Sequence, residues 1–166
     1  MRQVEKQVIK KSNKLWPEID DLAFKSKNLF NLANYEYRQY YFANGKTMGL
    51  PALDQKVKNT DVYRALPTKV SKQMIKNLTE IWTGYVNAHK DWEKNPHKYL
   101  GEPRIPKYKN KTKGRNLLIY PDESVYKKTL KIGICHLSMS NIKVPTSIEK
   151  IDQVRIVVAK KCIKNN

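Results

Sequence analysis

Hydrophobic and polar positions change their period along this chain, and each change predicts an element. Residues 3–11 alternate, with Val4, Lys6 and Val8 set against Glu5, Gln7 and Ile9, which predicts a short strand. Ser12 or Asn13 then offers a helix N-cap, and Pro17 suits a first turn, whose N–H groups lack intrahelical partners. Leu15, Ile19, Leu22, Leu29, Ala33 and Tyr40 fall on one helical face, widened by Phe30, Tyr37 and Tyr41. The spacing predicts a helix to about Phe42, ended by Asn44-Gly45. Gly45, Gly49, Pro51 and Pro67 break residues 45–67, which leaves room for short helices near 52–58 and 61–65, the second capped by Thr60. Thr68 is the expected cap of the next helix. There Met74, Leu78, Ile81, Tyr85, Ala88 and Trp92 recur at spacings of 4, 3, 4, 3 and 4, a heptad seam that stops before Pro96. Two long amphipathic helices with such a connector predict an antiparallel helical unit over residues 13–96.

The period shortens again after Gly101. Pro103, Pro106, Gly114 and alternating lysines oppose a helix. Leu117–Tyr120, Thr129–Ile132, Ile134–Leu137, Asn141–Val144 and Val154–Val158 are expected strands, with turns at Pro121-Asp122, Gly133 and Pro145. Residues 97–159 are thus a basic loop and a small β unit, and residues 160–166 a frayed tail. The strand expected before residue 12 is chemically like these and is expected to join their sheet. The fold class is α+β, a small sheet or barrel interrupted by a helical insertion.

Composition narrows the partner. The chain has 166 residues, 33 Lys and Arg against 15 Asp and Glu, and a net charge of +18. A charge of this sign and size points to a polyanion. No apolar run approaches the ~20 residues that span a bilayer, and the first residues, MRQVEKQVIKKSNK, hold no apolar core of a secretory signal. Two cysteines, Cys135 and Cys162, make no disulfide framework, so a reduced, cytoplasmic protein is expected. The charge is unevenly placed. Residues 16–95 carry 12 basic and 9 acidic groups, whereas residues 96–131 carry 10 and 3.

The basic loop GEPRIPKYKNKTKGRN is the first candidate site. Arg104, Lys107, Lys109, Lys111, Lys113 and Arg115 lie within 12 residues, with Tyr108 among them. In an extended chain Lys107, Lys109, Lys111 and Lys113 share one face and can track a phosphate backbone. The second is the polar edge of the heptad helix, where Lys69, Lys72, Gln73 and Lys76 cluster over two turns. A helix N-terminus favours phosphate, and a Gln can pair with an adenine edge. Glu18, Asp20 and Asp21 are expected to complement the helix dipole rather than hold a metal. His89, His97, Cys135, His136 and Cys162 show no paired ligand spacing, so neither metal nor other cofactor is expected. Cys135 is expected to be a buried small hydrophobe. The aromatics Tyr35, Tyr37, Tyr40, Tyr41, Trp82 and Trp92 are expected to be core.

Five blocks carry a resemblance. The opening RQVEKQVIKKSN, then EIDDLAFKSKNLFNLANYEYRQYYF, RALPTKVSKQMIKNL, GEPRIPKYKNKTKGRNLLIY, and finally LKIGICHLSMSNIKVPT with QVRIVVAKK, resemble in order the N-terminal part of transposon-encoded TnpB (OrfB) proteins, over about residues 2–158. Members of this family are found in insertion sequences and are called transposases, and the characterised ones are RNA-guided DNA nucleases. The resemblance implies a wedge β-barrel interrupted by a helical recognition domain, with a guide RNA and target DNA as partners. It also implies a DNA role for Lys69, Lys72, Gln73 and Lys76. The family's RuvC-like domain, with its three Mg²⁺-binding carboxylates and its CxxC zinc insertion, has no counterpart in this sequence. The expectation is a nucleic-acid-binding, cleavage-incompetent chain of a truncated kind, with no small-molecule substrate and no membrane partner. The alternative is an inactive remnant, or a subunit completed in trans by a separate nuclease domain.

Overall fold

The computed structural model describes residues 3–159. Helix α1, Trp16–Asn44, begins later than its capping signals suggest. The Asn13 carboxamide oxygen accepts from the Leu15 N–H at 2.9 Å, so Asn13 forms the turn that leads into the helix and Leu15 occupies the cap position. Pro17 sits in the first turn as expected. Gly45 closes the helix in the left-handed region, φ 63°, where a side chain is disfavoured. Helices α2, Leu50–Val57, and α3, Asp61–Arg64, fill the connector, and the Thr60 hydroxyl caps α3 by accepting from the Tyr63 N–H. Helix α4, Thr68–Lys94, starts one residue earlier than a Thr68 cap would require. Pro67 takes the cap position with extended backbone and no side-chain bond.

The two long helices run in the same direction, not antiparallel. Tyr37 stacks on Trp82 at 4.5 Å, and Tyr41 meets Tyr85 edge-on at 6.3 Å, so positions rise together along both helices. At their far ends Tyr41, Gly45 and Thr47 face Val86, His89 and Glu93 across a hollow of about 520 Å³. At their near ends both pack on one strand, β1, Leu118–Pro121. Because Trp82 stands level with Tyr37, the chain must climb back about 30 Å between Asn44 and Thr68, at ~1.5 Å per helical residue. The 23 residues between can cover that even with two helices among them.

The buried face of α4 also departs from the expected seam. Ile75 and Trp82 are fully buried and Ile81 is 40 % exposed. Helix α4 packs against α1, α2 and β1, so its apolar surface widens beyond a single heptad stripe. Met74, Leu78 and Trp82 share a core with Leu29, Phe30, Ala33 and Tyr37 of α1, Leu53 and Val57 of α2, and Leu118 and Tyr120 of β1.

The β region holds two antiparallel ladders. Strand β1 pairs with β4, Gln153–Ile156, in the register Leu118↔Ile156 and Tyr120↔Val154. Strand β2, Ile134–His136, pairs with β3, Lys143–Pro145, in the register Cys135↔Val144. An isolated antiparallel bridge, Val125↔Leu137, lies just after β2. The expected strand at Thr129–Ile132 is instead a helical turn, α5, Lys127–Leu130. Gly133, at φ 76°, donates its N–H to the Leu130 carbonyl and ends that turn. Over four residues, alternation does not separate a strand from one turn of helix.

Residues 3–11 form no strand. They reach the β region through side chains. The Glu5 carboxylate accepts from the Ser147 N–H at 3.0 Å and from its hydroxyl at 2.8 Å, and the Gln7 amide donates to the Pro145 carbonyl. The two Ser147 bonds, with another from the Gln7 amide to the Glu5 carboxylate at 2.7 Å, hold the Glu5 carboxyl down at about 2, against an ordinary 4.5. Val4 and Val8, the apolar half of the alternation, are exposed, while Ile9 packs against the core. The expected frayed tail, 160–166, lies outside the described residues.

Candidate nucleic-acid interface

The basic segment is not a free loop. It runs along α1 in the opposite direction, and polar side chains of α1 hold its backbone. The Asn34 amide donates to the Pro106 carbonyl at 3.1 Å. Asn31 makes a two-way bond with Lys109: its amide donates to the carbonyl at 3.0 Å and its oxygen accepts from the N–H at 2.8 Å. The Lys27 ammonium donates to the Lys111 carbonyl. The Asn116 N–H donates to the Ala23 carbonyl at 3.1 Å, and the Ser26 hydroxyl donates to the Leu117 carbonyl at 2.8 Å. A half-buried backbone without secondary structure needs such partners, because an unpaired polar group costs about 1–3 kcal/mol.

Lys27, Asn31 and Asn34 recur at i, i+4 and i+7, a polar stripe beside the apolar face of α1. Sequence reasoning missed them. The available signal was this polar stripe at helical spacing beside the apolar face; the structure buries Lys27 and Asn34, whereas the other buried positions of the helix are mostly apolar. The Lys27 side chain is fully buried, its ammonium 3.7 Å from the Phe24 ring centroid. Burial, with Arg115 and Lys111 nearby, pushes its pKa down.

The expected lysine row is broken by a turn. Residues 102–110 have no regular secondary structure, and after them the Asn110 carboxamide oxygen accepts from the Thr112 and Lys113 N–H groups, while the Gly114 N–H donates to the Asn110 carbonyl. A Cβ at Gly114 would lie 2.3 Å from that carbonyl oxygen, so the turn requires glycine. Lys107, Lys111 and Lys113 point into solvent, as does Arg104. Lys109 is half-buried, its ammonium 4.9 Å from the Phe30 ring. Tyr108 is exposed, with the Arg38 guanidinium 4.7 Å from its ring.

Arg115 is committed elsewhere. It bonds both Asp20 oxygens, at 2.8 and 2.9 Å, and lies 5.0 Å from the Phe24 ring. The guanidinium holds the Asp20 carboxyl below its ordinary range, and Asp20 raises Arg115 in return. The acidic residues of the first helical turns therefore act through side-chain contacts: Asp20 on Arg115, Glu18 on the Asn141 N–H at 3.0 Å, and Asp21 on Lys25 at 2.8 Å. A pure helix-dipole role does not describe them.

The polar edge of α4 is a second basic surface, with one of its cations paired. Lys69 meets Glu123 at 2.9 Å. Lys72 and Lys76 are exposed and Gln73 is half-buried. Lys72 borders a shallow hollow of about 380 Å³ with Lys58, Arg64 and Asp54. The Asp54 carboxylate accepts from the Tyr63 hydroxyl at 3.0 Å; burial, and then this bond and the Asp54 charge, raises the Tyr63 pKa.

Tyr37 and Trp82 are in the core and the half-buried Tyr40 and Tyr41 pack against it as expected, with the Trp82 N–H donating to Asn34 at 2.9 Å; half-buried Trp92 instead meets the His89 ring at 5.6 Å outside the core, and Tyr35 is 51 % exposed. Cys135 is buried, and burial raises its thiol pKa. Among the described residues no three His, Cys, Asp or Glu side chains gather as metal ligands do, and no helix is long and apolar enough to cross a membrane. No protein-family model, characterised protein or solved structure matches this chain.

Proposed function

We propose that this chain binds nucleic acid through residues 104–113, without cleaving it. The observation that carries this reading is the clamped backbone of the basic segment. Because α1 holds the main chain, Arg104, Lys107, Lys111 and Lys113 need no further ordering of that backbone when they meet phosphates. None of these four has a carboxylate partner among the described residues. The exposed Lys72 and Lys76 of α4 supply a second set of cations, and the resemblance assigns that edge to DNA.

The resemblance to TnpB (OrfB) proteins gives the reading its content. On it, the chain is the part that holds a guide RNA and touches target DNA, and cutting belongs to a RuvC-like domain with no counterpart in this sequence. The order of elements supports it. Four helices separate residues 3–11 from the β region, yet Glu5 and Gln7 return to Pro145–Ser147, as a helical insertion in a wedge-type β unit would require.

The test is binding of labelled single-stranded RNA and duplex DNA across a salt series. Each phosphate contact contributes about −0.7 to the log–log salt slope for a single strand and about −0.9 for a duplex. The joint replacement of Lys107, Lys111 and Lys113 by Gln is expected to flatten the single-strand slope by about 2. No binding at low salt, or a slope unmoved by the triple replacement, overturns the reading. Sequencing RNA crosslinked to the chain in its host tests the family assignment, which predicts transposon-end RNA. Guide-dependent DNA cleavage by this chain alone would overturn the non-cleaving part.

A further inference from the structure

The exposed aromatics of the described residues are not evenly spread. Tyr35, Arg38 and Phe42 stand at i, i+3 and i+7 on α1 and share one face. Tyr35 is 51 % exposed and Phe42 is 62 % exposed. The Arg38 guanidinium lies between Phe42, at 5.9 Å, and Tyr108, at 4.7 Å, and Tyr108 belongs to the basic segment where it lies along this helix. Lys107 stands beside Tyr108 with its charge in solvent. The only acidic side chain between positions 35 and 42, Glu36, points to another face, where it pairs with Lys56 at 3.5 Å. The result is an exposed strip in which two aromatic rings flank a guanidinium, with Tyr35 on the same helix face and the exposed Lys107 beside Tyr108.

This composition does not suit an apolar partner, which would leave Arg38 and Lys107 desolvated and unpaired. It suits an unpaired nucleic-acid strand. Bases stack on aromatic rings and on guanidinium planes, while neighbouring cations follow the backbone. A duplex keeps its bases stacked inside and offers this strip only phosphates. We propose that Tyr35, Arg38, Phe42 and Tyr108 form a stacking platform for unpaired bases. The proposal rests on the nucleic-acid reading above and adds that the strand at this face is single.

Phe42→Trp tests it directly. The site is exposed, so the substitution leaves the fold unchanged, and its indole adds to the signal of Trp16, Trp82 and Trp92. With oligouridylate or oligothymidylate at saturation, the extra emission is expected to be quenched, because a stacked base lies against the new ring. A duplex DNA of equal charge is expected to leave it unquenched. Phe42→Leu is expected to weaken single-strand binding about tenfold while its salt slope stays unchanged, since no ionic contact is removed. Equal quenching by duplex, or unchanged affinity in Phe42→Leu while wild type binds, overturns the platform and leaves the nucleic-acid reading standing. If wild type binds no oligonucleotide at low salt, both fall. Quenching by RNA but not by DNA supports the platform and assigns its strand to RNA.

Discussion

The helical core and the basic segment are built on opposite principles. In the core, side chains on regular periods bury one another, and the backbone satisfies itself within each helix. Trp82 makes the point: it is fully buried, stacked on Tyr37 and bonded to Asn34. In the basic segment the backbone has no ladder, and side chains of a helix about 70–95 positions earlier complete its hydrogen bonds. Most of its own side chains are thereby left free. The difference shows how a stretch with no apolar period of its own still acquires a defined path. Position on a rigid helix substitutes for secondary structure, and the charges that remain exposed are those with no structural task.

Four experiments break or sharpen this contrast, in descending size of effect. Trp82→Ala should cost about 3–5 kcal/mol of global stability, through the lost ring and the cavity left against Tyr37 and Tyr41. Denaturant unfolding measures it. Asn31→Ala removes both bonds to Lys109 and should cost about 1–3 kcal/mol, confined to the segment. Hydrogen exchange at the Lys109 amide should accelerate while amides in the middle of α4 keep their protection. A global loss equal to that of Trp82→Ala would make the segment part of the core and end the distinction.

The third experiment changes pH. A carboxyl whose folded pKa is depressed contributes above its unfolded pKa and loses that contribution as pH falls through the folded value. Glu5, held at about 2 against 4.5, should therefore keep residues 3–11 on Ser147 at neutral pH and release them as pH falls from about 4.5 to 2. The Ser147 amide resonance should report that step, and Glu5→Gln should abolish it. The smallest effect is expected at Lys69→Gln. Its partner Glu123 is half-exposed, and such pairs are worth about 0–1 kcal/mol. Because that charge is already paired, Lys69→Gln should weaken nucleic-acid binding less than Lys72→Gln, as titration at fixed salt will show.

Much of the helical half was legible in residues alone. Pro17 in a first turn, Gly45 as a stop and Thr60 as a cap all act locally, so sequence neighbours suffice to find them. Strands β1, β2 and β4 were legible for the same reason, as short apolar runs between turn residues. The direction of α4 was not. A connector with two helices of its own can turn the chain back or return it to its starting level, and only the pairing of Tyr37 with Trp82 and Tyr41 with Tyr85 decides which. Residues 3–11 alternate as a strand does, yet Val4 and Val8 find no apolar surface to cover. In the candidate interface the cations were visible at once, but not which of them are occupied. Arg115 and Lys69 stand in the same basic runs as Lys111 and Lys72, and differ because Asp20 and Glu123 come to meet them.

By itself, then, the amino-acid order determined the local elements and the excess of positive charge at residues 96–131, since both follow from near neighbours and composition. Tertiary structure decided the parallel course of the long helices, the attachment of the basic segment to α1, and the arrival of Tyr108 beside Arg38 on the face that Tyr35 and Phe42 share. Those depend on contacts between residues up to 95 positions apart, and no local period encodes which distant side chain will complete a given backbone bond.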